Sequence, residues 1–250
     1  MPERFLPAIR AVESLAAGER HLGALIFGSV ARGTATDAGD LDVRVLVGAV
    51  GCASINHPRI AGVKLDLTFC TIEQLERQLD AELADGRRAP MTAGAVIVFD
   101  KTGRLAGLQS RADAAEPHEY DPAGLPLDRF MLYHANDKVE RALEDDPASA
   151  LWSMHATVND VLGIHYRVRG RFKVSSKFLL ADLDGWDATL AELLRRFVGE
   201  GAARPKFALW SAIVDHVGAG LGGHLPIDEN ICNCPVCSEG LAALRAGAAE

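Results

Sequence analysis

Two runs in the first third of the chain, LDVRVLV (41–47) and VKLDLTF (63–69), alternate in polarity with a period of two, which confines this region to a sheet. Leu41, Val43 and Val45 fall on one face of the first run. Val63, Leu65, Leu67 and Phe69 fall on one face of the second. A shorter apolar run, Leu22–Phe27, ends at Gly28 and reads as a buried strand, and Ala95–Phe99 reads as a fourth that turns at Asp100-Lys101-Thr102-Gly103 into a short helix ending near Asp113. Residues 3–18 have helical spacing at Phe5, Leu6, Ile9, Val12 and Leu15. Thr71 and Gln74 have the spacing of a capping box ahead of Ile72, Leu75, Leu79 and Leu83, which recur on one helical face.

The alternation also places chemistry. Residues two apart on a strand share a face, so Asp40 and Asp42 project together while their neighbours enter the core. Asp66 shares the polar face of its own run with Lys64 and Thr68, and if the two runs are neighbouring strands the three carboxylates converge. Three anionic oxygen ligands at one place repel unless cations hold them, and this donor type suits Mg²⁺ carrying phosphates. The turn ahead of them fits the same purpose. Gly28 lets the backbone approach a ligand, Ser29 offers a hydroxyl and an N–H, the segment 29–33 opens a short helix, and Arg32 adds a charge-assisted donor for phosphate.

Gly28-Ser29, ten intervening residues, Asp40-Leu41-Asp42 and the later Leu65-Asp66-Leu67 together resemble the signature of the DNA polymerase beta-like nucleotidyltransferase superfamily. The resemblance is closest to its small standalone members, such as aminoglycoside nucleotidyltransferases and minimal nucleotidyltransferases. It covers residues 20–113 well and 125–220 more loosely. It implies an α+β fold, with a catalytic mixed sheet flanked by helices and then a C-terminal helical bundle. It further implies that Asp40, Asp42 and Asp66 bind two Mg²⁺ ions and are catalytic. Gly28, Ser29 and Arg32 would hold the triphosphate of an NTP donor, ATP being the expected one. A nucleoside monophosphate would pass to a hydroxyl of a small molecule, an aminoglycoside-like antibiotic or a biosynthetic intermediate, with loss of pyrophosphate. Tyr166, Arg167, Lys173 and Lys177 match the half that closes over the nucleotide, with Lys173 and Lys177 as nucleotide-binding residues. Two alternatives stay open: nucleotidylation of a protein or RNA partner, and a nucleotide-binding scaffold without turnover. Dimerisation is common in the group, so a homodimer is a further expectation.

The expected organisation is a catalytic domain over 1–115, a linker over 116–127 with several prolines, and a helical domain over 128–250. In the latter, Leu151, Met154, Val158, Val161, Leu162 and His165 form one stripe, and Trp186–Val198 and Pro205–Val217 are further amphipathic helices. Trp152, Trp186 and Trp210 sit at helical spacing from other apolar residues and are assigned to the core. His57, His118, His155 and His216 are scattered singly, and His155 with Asn159 shares a face that could line an acceptor pocket. Asp137, Glu140 and Asp160 are either a further base or solvated helix faces.

Residues 165–177 hold five Lys and Arg residues without an acid, two apart at 167, 169, 171 and 173, a spacing that does not align them on one helical face. Elsewhere charge is mixed and the net is −8, which argues against a broad hold on nucleic acid, and no apolar window reaches a membrane span. The N-terminus lacks the pattern of a secretory signal, so the expected location is cytoplasmic. Five cysteines, three of them at 232, 234 and 237, do not form an extracellular disulfide framework. Cys234-Pro-Val-Cys237 resembles a zinc knuckle, with Cys232 a third ligand and His224 a fourth. A structural Zn²⁺ there competes with reduced thiols or a redox pair.

Overall fold

The computed structural model describes residues 2–50, 55–223, 232 and 234–247, and the chain divides into two compact units, Met1–Pro117 and His118–Glu250. The first is built on a mixed sheet. Helix α1 (Leu6–Ser14) precedes strand β1 (His21–Phe27), a single helical turn α2 (Gly28–Ala31) and strand β2 (Leu41–Val47). Two short strands, β3 (Ile55–Asn56) and β4 (Arg59–Ile60), lead to β5 (Val63–Cys70), followed by helix α3 (Ile72–Ala84), strand β6 (Val96–Asp100) and helix α4 (Leu105–Asp113). The strand order is β3-β5-β2-β1-β6, with β4 also paired to β5, and β2 with β5 is the parallel pair.

Both faces of this sheet are covered, each by its own apolar set. Leu41, Val43 and Val45 of β2 pack with Ile26, Val63 and Leu65 against Phe5, Ile9 and Val12 of the N-terminal helical segment. On the opposite face Leu25 and Leu46 meet Ile72, Leu75 and Leu79 of α3 and Leu105 and Leu108 of α4. Helix α3 starts where expected: the Thr71 hydroxyl accepts from Gln74 N–H and the Gln74 side chain accepts from Thr71 N–H. The carboxylate of Asp100 plays the same part for α4, accepting from the N–H groups of Thr102, Gly103 and Leu105.

The second unit is helical. Helices α5 (Leu125–Asp145), α6 (Pro147–Val168), α7 (Leu179–Asp184), α8 (Ala188–Gly199) and α9 (Ala203–Ala219) enclose one core that includes Leu132, Met154, Leu162, Phe197 and Trp210, and α10 (Pro235–Gly247) follows. Helix α5 begins inside the segment read as a linker, because Pro126 lies in its first turn, where the missing N–H costs nothing. Helix α8 begins at Ala188, not Trp186, because Asp187 caps it. Trp152 is 75% exposed and is no core residue; it projects from the side of α6 opposite Met154, which is fully buried.

Three residues far apart in sequence meet in this core. The Nε2 atoms of His165 (α6) and His216 (α9) both lie 2.8 Å from Oδ2 of Asp187, while Oδ1 of Asp187 accepts from Leu190 N–H at the start of α8. One carboxylate therefore ties three helices, and His165 stacks on Trp186 with ring centroids 5.2 Å apart. Burial holds the His165 imidazole below its ordinary value, outweighing the pull of Asp187. Burial would raise the Asp187 carboxyl, but hydrogen bonds from His216, Leu190 and His165 outweigh it and the net shift is downward. Both shifts mean that the unfolded chain binds more protons. The contribution of His165 is present above its unfolded value of 6.5 and is lost as pH falls below it, and that of Asp187 follows below 3.8. Urea denaturation of Asp187→Ala should show a loss of about 2–4 kcal/mol, from a lost cap and lost charge-assisted hydrogen bonds. In wild type the melting temperature should fall between about pH 7 and pH 5, and His165→Gln should flatten that fall.

Candidate functional site

The turn after β1 favours glycine. Gly28 has φ +71°, and a Cβ on it would lie 1.8 Å from Oδ2 and 2.8 Å from Cγ of Asp42. The Asp42 carboxylate thus rests against bare backbone at the start of α2. Register explains how it gets there: Asp42 is the partner of Phe27 across the antiparallel pair β1–β2 and of Asp66 across the parallel pair β2–β5. Asp40, one residue before β2, lies on the same side as Asp42 by the alternation of the strand. Arg4 fixes the approach to it by donating to the Gly39 carbonyl.

Two of these acids face basic side chains. Asp40 Oδ2 lies 3.7 Å from Lys64 Nζ, and Asp66 Oδ1 lies 3.2 Å from His57 Nδ1, all four side chains being between 41% and 53% exposed. Exposed pairs of this kind contribute about 0.2–1 kcal/mol each. The three acids share this face of the sheet. Behind it, on the same side of β2, the buried Arg44 donates to Gln78 Oε1 of α3 at 2.7 Å and to Thr68 Oγ1 at 3.4 Å, locking the sheet to the helix.

Ser29 lies in α2 and its carbonyl accepts from Thr34 N–H at 2.9 Å, which closes the loop toward Asp40; Arg32 is exposed at the end of the same turn. The remaining nucleotide-binding candidates belong to the second unit. Lys173 donates to the Asn159 carbonyl at 2.6 Å, and partial burial lowers its ammonium from the usual lysine range. Lys177 Nζ lies 5.1 Å from the centroid of the Phe178 ring. Tyr166 is a core residue whose hydroxyl donates to Asp182 at 2.6 Å, and Arg167 donates to Asp128 at 2.8 Å. Asp137 accepts from Arg141 one turn on, the solvated ion-pair reading, and His155 Nε2 lies 3.0 Å from Lys206 Nζ of α9.

Among the described residues, two sets have all their metal-ligating atoms within 4.8 Å of one another: Cys232, Cys234 and Cys237, and His165, Asp187 and His216. The three carboxylates of the sheet share a face without closing to that distance. In the buried set the 2.8 Å contacts are those of charge-assisted hydrogen bonds. His224 lies outside the described residues. Sequence reasoning missed His57 and Arg44. His57 had no periodic neighbours to place it, whereas Arg44 carried a legible signal: it stands two residues after Asp42 in an alternating strand.

No known protein family's profile matches the chain, and neither does any curated protein. Among solved structures the chain is similar to the crystal structure of a nucleotidyltransferase-like protein from Exiguobacterium sibiricum 255-15, at 15% identity and a TM-score of 0.46, over 84% of this chain and 73% of that one.

The contact between Gly28 and Asp42 is testable by a double-mutant cycle. Gly28→Ala should cost about 2–3 kcal/mol in wild type, from a left-handed φ and the displaced carboxylate. In the Asp42→Ala background the cost should fall by about 1 kcal/mol or more. Additive costs in urea denaturation would mean that the two residues do not touch in solution.

Proposed function

We propose that the first unit is a nucleotidyltransferase that moves a nucleoside monophosphate from a nucleoside triphosphate, ATP being the expected donor, to a hydroxyl of a small molecule. The observation that carries this reading is the direct partnership of Asp42 and Asp66 across the parallel pair β2–β5, with Asp40 two residues before and the Gly28 backbone against Asp42. The donor set fits Mg²⁺: the ligands are carboxylate oxygens, and Lys64 lies beside Asp40 and His57 beside Asp66. Asp40, Asp42 and Asp66 would hold the metal, which when bound neutralises triphosphate charge and acidifies an acceptor hydroxyl.

The chain's own groups do the rest. Ser29 and the glycine turn present a hydroxyl and backbone N–H groups to the β- and γ-phosphates, and Arg32 adds charge to the same end of the ligand. The acceptor oxygen forms a bond to the α-phosphorus as the bond to the β-phosphate bridging oxygen breaks, and pyrophosphate leaves. The acceptor proton passes to a carboxylate oxygen of Asp66, which His57 holds in place from 3.2 Å. In this scheme positioning and charge compensation supply nearly all of the rate.

Calorimetric titration with ATP, GTP, CTP and UTP, with Mg²⁺ or with chelator, tests the reading. One triphosphate should bind only with Mg²⁺, and Asp40→Asn should weaken it at least about tenfold, about 1.4 kcal/mol. With that donor, pyrophosphate release on addition of a hydroxyl acceptor should drop by several orders of magnitude in Asp66→Asn. Failure of all four triphosphates to bind, or equal binding by Asp40→Asn, would overturn it.

A further inference from the structure

Three thiols crowd the start of α10. Cys232 and Cys234 precede the helix and Cys237 lies in its first turn, and their Sγ atoms all lie within 4.8 Å of one another. All three are exposed, and none is in a disulfide. Tetrahedral zinc with Zn–S bonds of about 2.3 Å needs sulfur atoms about 3.8 Å apart, so a small closure of this set suffices.

Packing does not account for this cluster. A free cysteine kept for its apolar character is normally buried. Here the thiols are exposed, and α10 buries none of its described residues, with Val236 79% and Leu244 73% exposed. A helix of this length without a buried face is marginal in water. A cross-link at its first turn fixes the segment where burial does not.

We propose that Cys232, Cys234 and Cys237 bind one Zn²⁺ through three thiolates and thereby organise the start of α10. The ion's fourth position is left to a donor beyond these three. Each thiol that ligates loses its proton, so loading releases protons to the buffer. The carboxylates of the sheet take no part, and the site stands whether or not the nucleotidyltransferase reading does.

The test uses the full chain, purified under reducing conditions. Elemental mass spectrometry should find about one equivalent of zinc. Replacement by Co²⁺ should give thiolate-to-cobalt charge-transfer bands and the intense d–d bands of a tetrahedral site. Alkylation mapped by peptide mass should spare the three cysteines until a chelator is added, a readout that needs no variant. Cys234→Ser with Cys237→Ser should abolish retention of the metal with the far-UV circular dichroism of the helical core unchanged, and Cys70→Ser should retain it. Zinc kept by the double variant, free alkylation of all three thiols in the zinc-supplied protein, or a disulfide between two of them under the same conditions would overturn the proposal.

Discussion

A parallel pair of strands cannot be closed by a tight turn; it needs a crossover of a dozen or so residues. The first unit depends on one such pair, β2 with β5, and residues 48–62 supply the crossover. Everything at the carboxylate face follows from how this pair is registered. Leu41 opposite Leu65 and Asp42 opposite Asp66 keep the apolar residues on the α1 side and the acids together on the other. A slip by one residue would set Leu65 or Leu67 beside Asp42 and send Asp66 to the face that holds Leu41, Val43 and Val45, all fully buried. Burial of those three residues therefore fixes the acids in place. The crossover also explains His57, which is carried between β3 and β4 and returned beside Asp66.

The legible parts of the molecule are those governed by a short period. Alternation at 41–47 and 63–69 placed Asp40, Asp42 and Asp66, and a single glycine ahead of an acid pair marked the turn at Gly28. Helix α3 could be read from a capping pair and an apolar stripe, because both signals lie within four residues. What escaped was everything set by long-range contact. Strands β3 and β4 are two residues each, too short to carry a period, and they exist because β5 offers an edge to pair with. His165 and His216 lie 22 and 29 residues from Asp187, on three elements that only the packed core brings together. Trp152 went astray for a simpler reason: apolar neighbours surround it in sequence, but its angle on α6 faces outward.

The same residue type serves opposite ends in the two units, and burial decides which. Asp187 has only 11% of its side chain exposed and holds two imidazoles and a helix start. Removing any partner would leave a buried charge short of hydrogen bonds, which is costly, so this carboxylate is committed to the fold. Asp40 and Asp66 are about 40% exposed and touch Lys64 and His57 in pairs that water can replace at little cost. A carboxylate that must exchange one cation for another needs partners of the second kind. The shifts of His165 and Asp187 belong to the packing of the helical core. The strand register sets Asp42 beside Asp66 and against the backbone of Gly28.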